Sequence, residues 1–167
     1  MTLIFAISGY SGTGKTALVE ELVRLLSAKG YSVATAKSSK HEPGEEEGSD
    51  TARHRDAGAI TTVFIGGSVG SQSTEKLAVL AEKMKNLTPD YLIVEGMKSS
   101  GIPKIWCVGD REYEGDLPPM TKAVVTWEKT GSGTARVPVF QTRQMEGILD
   151  IVLRESVELE QLVSRRE

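Results

Sequence analysis

Residues 9–16 read Gly-Tyr-Ser-Gly-Thr-Gly-Lys-Thr, the full spacing of a Walker A phosphate loop, and they lie between two segments of different periodicity. Before them, Leu3 to Ile7 is a short apolar run ending at Ser8-Gly9, as expected of a strand buried on both faces of a parallel sheet. After them, Lys15 opens a helical pattern with Leu18, Leu22, Leu25 and Leu26 on one face, Glu20, Glu21 and Arg24 elsewhere, and Gly30 placed to end it. Strand, glycine loop and helix in this order confine the chain to an α/β architecture with an anion site at a strand end.

The residue types follow from the chemistry of phosphate. A phosphate chain needs several N–H donors converging within hydrogen-bond reach, and backbone can converge only where side chains do not obstruct it; Gly9, Gly12 and Gly14 remove that obstruction. Lys15 supplies a point charge for the β- and γ-phosphates, and the Thr16 hydroxyl is placed to ligate a Mg²⁺ ion bridging them. Gly9, Ser11, Gly12, Thr13, Gly14, Lys15, Thr16 and Ala17 are therefore the candidate nucleotide contacts, with Lys15 also acting on the transferred charge.

Further along, Tyr31 to Lys37 reads as a second strand, and Ser38 to Asp50 as a polar loop carrying Glu45-Glu46-Glu47 between glycines. A short helix capped by Ser49 or Asp50 is expected to run through Ala57 and stop at Gly58, followed by a β-branched strand over 61–65. Thr74, Leu77, Leu80, Ala81 and Met84 predict another helix, and Thr88-Pro89-Asp90 breaks it before the apolar strand Tyr91 to Val94, closed by Glu95-Gly96. Strands are expected at 104–108, 123–127 and 137–140, and Met145, Ile148, Leu149, Val152, Leu159 and Val163 predict one long C-terminal amphipathic helix. Strands separated by helical segments imply right-handed crossovers, hence a doubly wound, mostly parallel sheet flanked by helices that binds ligands at its strand C-terminal ends.

With 167 residues the chain has the length of one domain, here a single nucleotide-binding domain over 1–167. Its 20 Lys and Arg against 23 Asp and Glu give a net charge of −3, so no global positive field holds a nucleic acid. No apolar stretch nears the roughly 20 residues that cross a bilayer, and no basic leader precedes Thr2-Leu3-Ile4, so the expected address is the cytoplasm. The one cysteine, Cys107, excludes an internal disulfide and reads as a buried inert thiol. His41 and His54 fit no metal-ligand spacing and are expected in surface or loop roles.

A Walker loop is commonly served by an acid at the end of a buried strand, and Leu92-Ile93-Val94-Glu95 supplies one, making Glu95 the candidate catalytic and metal-side carboxylate, acting through a metal-bound water. The bland alternative is a strand-terminal acid; Lys98 likewise contacts either phosphate or solvent. Thr121-Lys122-Ala123-Val124 is not a guanine-reading tetrapeptide, because it lacks the acid and precedes its strand. Glu128, after the strand ending at Trp127, lies where a carboxylate would accept two hydrogen bonds from a guanine edge, or is a solvated acid.

Three segments then stand together: the Walker loop; Asp50-Thr51-Ala52-Arg53 running on to Ala57-Gly58-Ala59; and Val94-Glu95-Gly96-Met97-Lys98 followed by Pro103-Lys104-Ile105. In this combination the chain resembles the molybdopterin-guanine dinucleotide biosynthesis protein B family. The resemblance implies a P-loop NTPase-type fold that binds GTP with Mg²⁺, forms a homodimer, hydrolyses GTP slowly, and supports attachment of GMP to molybdopterin by a separate guanylyltransferase. It also implies roles for Lys37 after strand two, for Asp50 and Arg53, and for Glu95 and Lys98. Many relatives carry a histidine directly after that lysine, where this chain has Ser38, with His41 further on.

Two other functions compete on the same residues. A small-molecule P-loop kinase using ATP would employ the same lysine and magnesium, but such kinases use several lid arginines and Arg111 is the only arginine between Arg55 and Arg136. A docking switch would order the acidic stretch Glu42 to Glu47 when a γ-phosphate is present.

Overall fold

The computed structural model describes residues 1–39, 52–66, 73–111, 116–127 and 136–165. The elements run β1 (Leu3–Gly9), α1 (Lys15–Ala28), β2 (Val33–Ser38), α2 (52–56), β3 (Thr61–Ile65), α3 (Ser73–Met84), β4 (Tyr91–Glu95), β5 (Lys104–Gly109), β6 (Thr121–Thr126), β7 (Val139–Gln141), α4 (Met145–Glu155), β8 (Val157–Glu158) and α5 (Leu159–Ser164). Among the described residues the strands form one sheet in the order β3-β2-β4-β1-β5-β6-β7, parallel throughout, with β8 added antiparallel to β1.

Alternating side chains of the central strands feed two cores, which is why those strands read as continuous apolar runs. Phe5, Ile7, Ile93, Ile105 and Val125 face α1 and α4 through Leu18, Leu22, Leu26, Ile148 and Val152. Ile4, Ala6, Ala36, Leu92 and Val94 face α3 and α5 through Leu77, Leu80, Met84 and Leu159. Left-handed Gly30 (φ 94°) ends α1, as expected from the sequence, with the Tyr31 amide donating back to the Leu26 carbonyl at 3.1 Å.

The C-terminus corrects one expectation. The long amphipathic helix is two, broken by Ser156 in extended conformation, and the two pack on opposite sheet faces: Ile148 and Val152 in the α1 core, Leu159 in the α3 core. The cause is an open sheet edge. β5 pairs with β1 only from Ala6 onward, leaving Leu3 and Ile4 without a neighbour on that side, and Glu158 and Val157 pair there instead. Periodicity carries through the break because both segments are amphipathic, each toward its own core.

Candidate functional site

The site grows from β1, whose last residue, Gly9, passes the chain into the phosphate loop. Gly12 (φ 73°) and Gly14 (φ 86°) take left-handed backbone conformations, and Gly14 is the N-cap of α1 with no side chain capping it and no acid in the first turn. With no side-chain cap from Gly14, the amides at the start of α1 and the helix dipole together favour an anion. Thr13 Oγ1 donates to the Tyr10 carbonyl at 2.7 Å, closing the loop on itself, and Lys15 Nζ reaches back to the Gly9 carbonyl at 3.0 Å.

Parallel register brings the other charges to this end. Lys37 on β2 stands opposite Glu95 on β4, and Glu95 opposite Ile7 on β1. Lys37 Nζ lies 3.2 Å from Glu95 Oε2, and Thr16 Oγ1 donates to Glu95 Oε1 at 2.5 Å, although Thr16 and Glu95 are 79 residues apart. Glu95 is buried, and burial of a carboxylate is tolerated where it meets polar partners of this kind. Hydroxyl and carboxylate oxygens side by side are hard donors of the kind Mg²⁺ takes. The loop after β4 is tied in by Ser8 Oγ, donating to the Gly96 carbonyl at 2.6 Å.

The other expected residues separate. Arg53 pairs with Glu20, one turn beyond Thr16 on α1, and so lies along the outside of that helix. Lys98 is exposed and lines a cavity with Tyr10 whose walls include neither Thr16 nor Glu95. Asp50, His41, Glu128 and the acidic stretch 42–47 lie outside the described residues. His54, expected at the surface or in a loop, is instead fully buried on α2, with Nδ1 3.1 Å from Thr35 Oγ1 on β2; a polar side chain is tolerated there because Thr35 meets it. Cys107 is buried, and desolvation pushes its thiol up to about 12, as an inert thiol requires.

Two residues were not foreseen. Trp127, directly after β6 and 40% exposed, donates from Nε1 to the Thr13 carbonyl at 3.3 Å, so the strand end on the far side of β5 touches the phosphate loop. The available signal was an aromatic residue at a strand C-terminus. Lys104, in an ordinary-looking apolar strand, is fully buried and donates to the Ser100 and Pro119 carbonyls at 2.8 and 2.5 Å. Desolvation lowers its ammonium to about 8, against an ordinary 10.5. Between those values the unfolded chain keeps a proton that the folded chain has released, so this group makes stability rise with pH from about 8 to 10.5. Urea midpoints of the native chain and Lys104→Met are expected to move apart in the native chain's favour across that window; a constant difference would show that burial does not perturb Lys104.

Residues 4–127 match the family model for molybdopterin guanine dinucleotide synthesis protein B, MobB. A molybdopterin-guanine dinucleotide biosynthesis adapter protein of Haemophilus influenzae is 34% identical over 108 residues, a match covering 61% of this chain and 61% of that relative's length. Among solved structures, Bacillus subtilis MobB aligns with TM-score 0.65 and 25% identity over 93% of this chain and 98% of its own. The signal recognition particle receptor FtsY of Elizabethkingia anophelis in complex with GDP aligns with TM-score 0.60 and 11% identity, over 83% of this chain and 56% of that one, a likeness of fold alone. No helix among the described residues is long and apolar enough to cross a membrane. The phosphate loop on β1, the acid ending β4 and the family model spanning both place the fold among the P-loop NTPases, and the chain belongs to the MobB family.

Proposed function

We propose that this chain binds GTP with Mg²⁺ through its phosphate loop and serves as an adapter in molybdopterin-guanine dinucleotide biosynthesis, supporting a guanylyltransferase that attaches GMP to molybdopterin. The observation that carries the reading is the meeting of Thr16 and Glu95 at 2.5 Å beneath a Walker loop whose helix start has no side-chain cap. In this reading Gly9, Ser11, Gly12, Thr13, Gly14, Lys15, Thr16 and Ala17 receive the phosphates, and Thr16 and Glu95 hold the magnesium, which supplies charge neutralisation on the β- and γ-phosphates. Lys37 fixes the Glu95 carboxylate, and Lys15 leaves the Gly9 carbonyl for phosphate. Trp127 steadies the phosphate loop by its hydrogen bond to the Thr13 carbonyl and offers an exposed ring beside that loop, and Glu128, the next residue in the chain, is the group that would read the base in this reading. Slow hydrolysis, a homodimer and a cytoplasmic address belong to the same reading. The adapter role of the Haemophilus influenzae relative and the GDP held by the FtsY neighbour support it.

Calorimetric titration with GTP and with ATP, each with Mg²⁺, tests it. GTP is expected to bind at least about 10-fold more tightly, a difference of about 1.4 kcal/mol; preference for ATP would move the assignment to a small-molecule kinase. Trp127→Leu is expected to weaken GTP by about 5- to 10-fold, the worth of one hydrogen bond and one ring face. Equal affinities in variant and native chain would remove Trp127 from the site.

A further inference from the structure

On the sheet face opposite α1, β5 and β6 present Trp106, Val108 and Val124. Among the described residues no helix covers them, because α3 and α5 stand over Ile4, Ala6, Ala36, Leu92 and Val94. Residues 116–119 cross there instead. Between this segment, residues 98–99 after β4 and Tyr10 of the phosphate loop remains a cavity of about 350 Å³. That volume lies at the lower end of small-molecule sites and suits one ring system with its substituents.

The cavity is built rather than left over. Its walls, the loop 98–100 and the segment 116–119, are joined by one buried group, since Lys104 donates to Ser100 on one and Pro119 on the other. Both partners are neutral carbonyls, so the ammonium adds positive potential behind the walls. Its aromatic side is ordered too: Tyr10 meets Trp106 edge-on with centroids 5.2 Å apart, and the Arg111 guanidinium stands 4.9 Å from the Tyr10 ring centroid. Among the described residues that line it, Lys98 and Arg111 are the cations and Asp116 the one carboxylate.

Aromatic faces select a flat ring, and a guanidinium fork and an ammonium select a phosphoryl group. We propose that this cavity binds a second small molecule, a flat heterocycle carrying a phosphate, beside the phosphate loop. Tyr10 is common to both sites: its ring is a cavity wall, and its carbonyl accepts the Thr13 hydroxyl inside the loop. A ligand that shifts Tyr10 in one site therefore biases the other, reciprocally. Only this coupling rests on the nucleotide reading; the cavity's own affinity does not.

Pyridoxine 5′-phosphate is a suitable probe, with pyridoxine and inorganic phosphate as its two halves. Calorimetry on the full chain is expected to show the probe binding at least about 10-fold more tightly than either half, with loss of about 5- to 10-fold in Arg111→Gln and in Lys98→Gln and no change in Lys15→Ala. Both rim side chains are exposed, so these variants keep the fold. In a Trp127→Phe background the one remaining indole is Trp106, whose fluorescence is expected to change with the probe. Binding no tighter than inorganic phosphate would overturn the proposal. So would binding that vanishes in Lys15→Ala and persists in Arg111→Gln, which would put the probe on the phosphate loop. A chain that binds the probe but not GTP would sink the nucleotide reading and leave the cavity standing.

Discussion

Replacing Gly9 by alanine is expected to lower stability by about 3 kcal/mol or more, the upper part of the range for overpacking, with a fall in Tm on the order of 10 °C for a chain of this size. A Cβ at this position would lie 2.4 Å from the Cys107 carbonyl oxygen, 3.0 Å from the Cys107 Cβ and 3.1 Å from Thr13 Oγ1. The first of these is backbone of a central strand and cannot swing away. Gly9 and Cys107 are register partners, so relieving the clash means prising β5 from β1 at the point where the phosphate loop departs. Gly12→Ala is the matched control: its Cβ meets nothing within 4 Å, and only its left-handed backbone (φ 73°) is penalised, by about 1 to 2 kcal/mol. Thermal unfolding followed by circular dichroism compares the two. Equal losses would mean that strand contact at Gly9 does not limit what the loop can carry, and that its glycine serves conformation alone.

That contact shows what kind of information the sequence holds. The loop motif, the flanking strand and helix, and the acid and lysine at the ends of apolar runs are local patterns, and each occupies its expected place: Lys15 and Thr16 at the head of α1, Lys37 and Glu95 at neighbouring strand ends. Their meeting follows from topology, because parallel strands put their C-termini on one edge. What local pattern does not carry is any contact decided by a distant partner. Lys104 looks like a surface charge at a strand start until the Ser100 and Pro119 carbonyls enclose it. His54 looks exposed on a polar stretch until Thr35 meets it across the core. The Trp127 indole finds Thr13, 114 residues earlier in the chain. The C-terminal helices share one amphipathic period, and only the unpaired start of β1 decides that the chain crosses from one sheet face to the other. In each case the deciding term is burial or an open edge, quantities that exist only once the sheet is assembled.

Glu95→Ala is the second large effect, and it separates the metal role from the bland one. The buried carboxylate holds Thr16 at 2.5 Å and Lys37 at 3.2 Å, so its removal strips the Lys37 ammonium of this ion pair in a mostly buried place and is expected to cost about 3 kcal/mol. Glu95→Gln keeps an oxygen for the Thr16 hydroxyl and loses only the charge, with an expected cost of about 1 to 2 kcal/mol. A strand-terminal acid with a purely structural role predicts these losses and nothing more: GTP affinity, measured on the folded fraction, would still tighten with Mg²⁺ as in the native chain. A carboxylate that helps hold the cation predicts that in Glu95→Gln the tightening by Mg²⁺ falls by at least about 10-fold, while GTP without Mg²⁺ binds as before or more tightly, since one negative charge has left the neighbourhood of the phosphates. The sign of the second change matters most. A general loss of fold weakens binding with and without the cation alike, whereas opposite responses arise only if the carboxylate repels phosphate and attracts the ion that neutralises it.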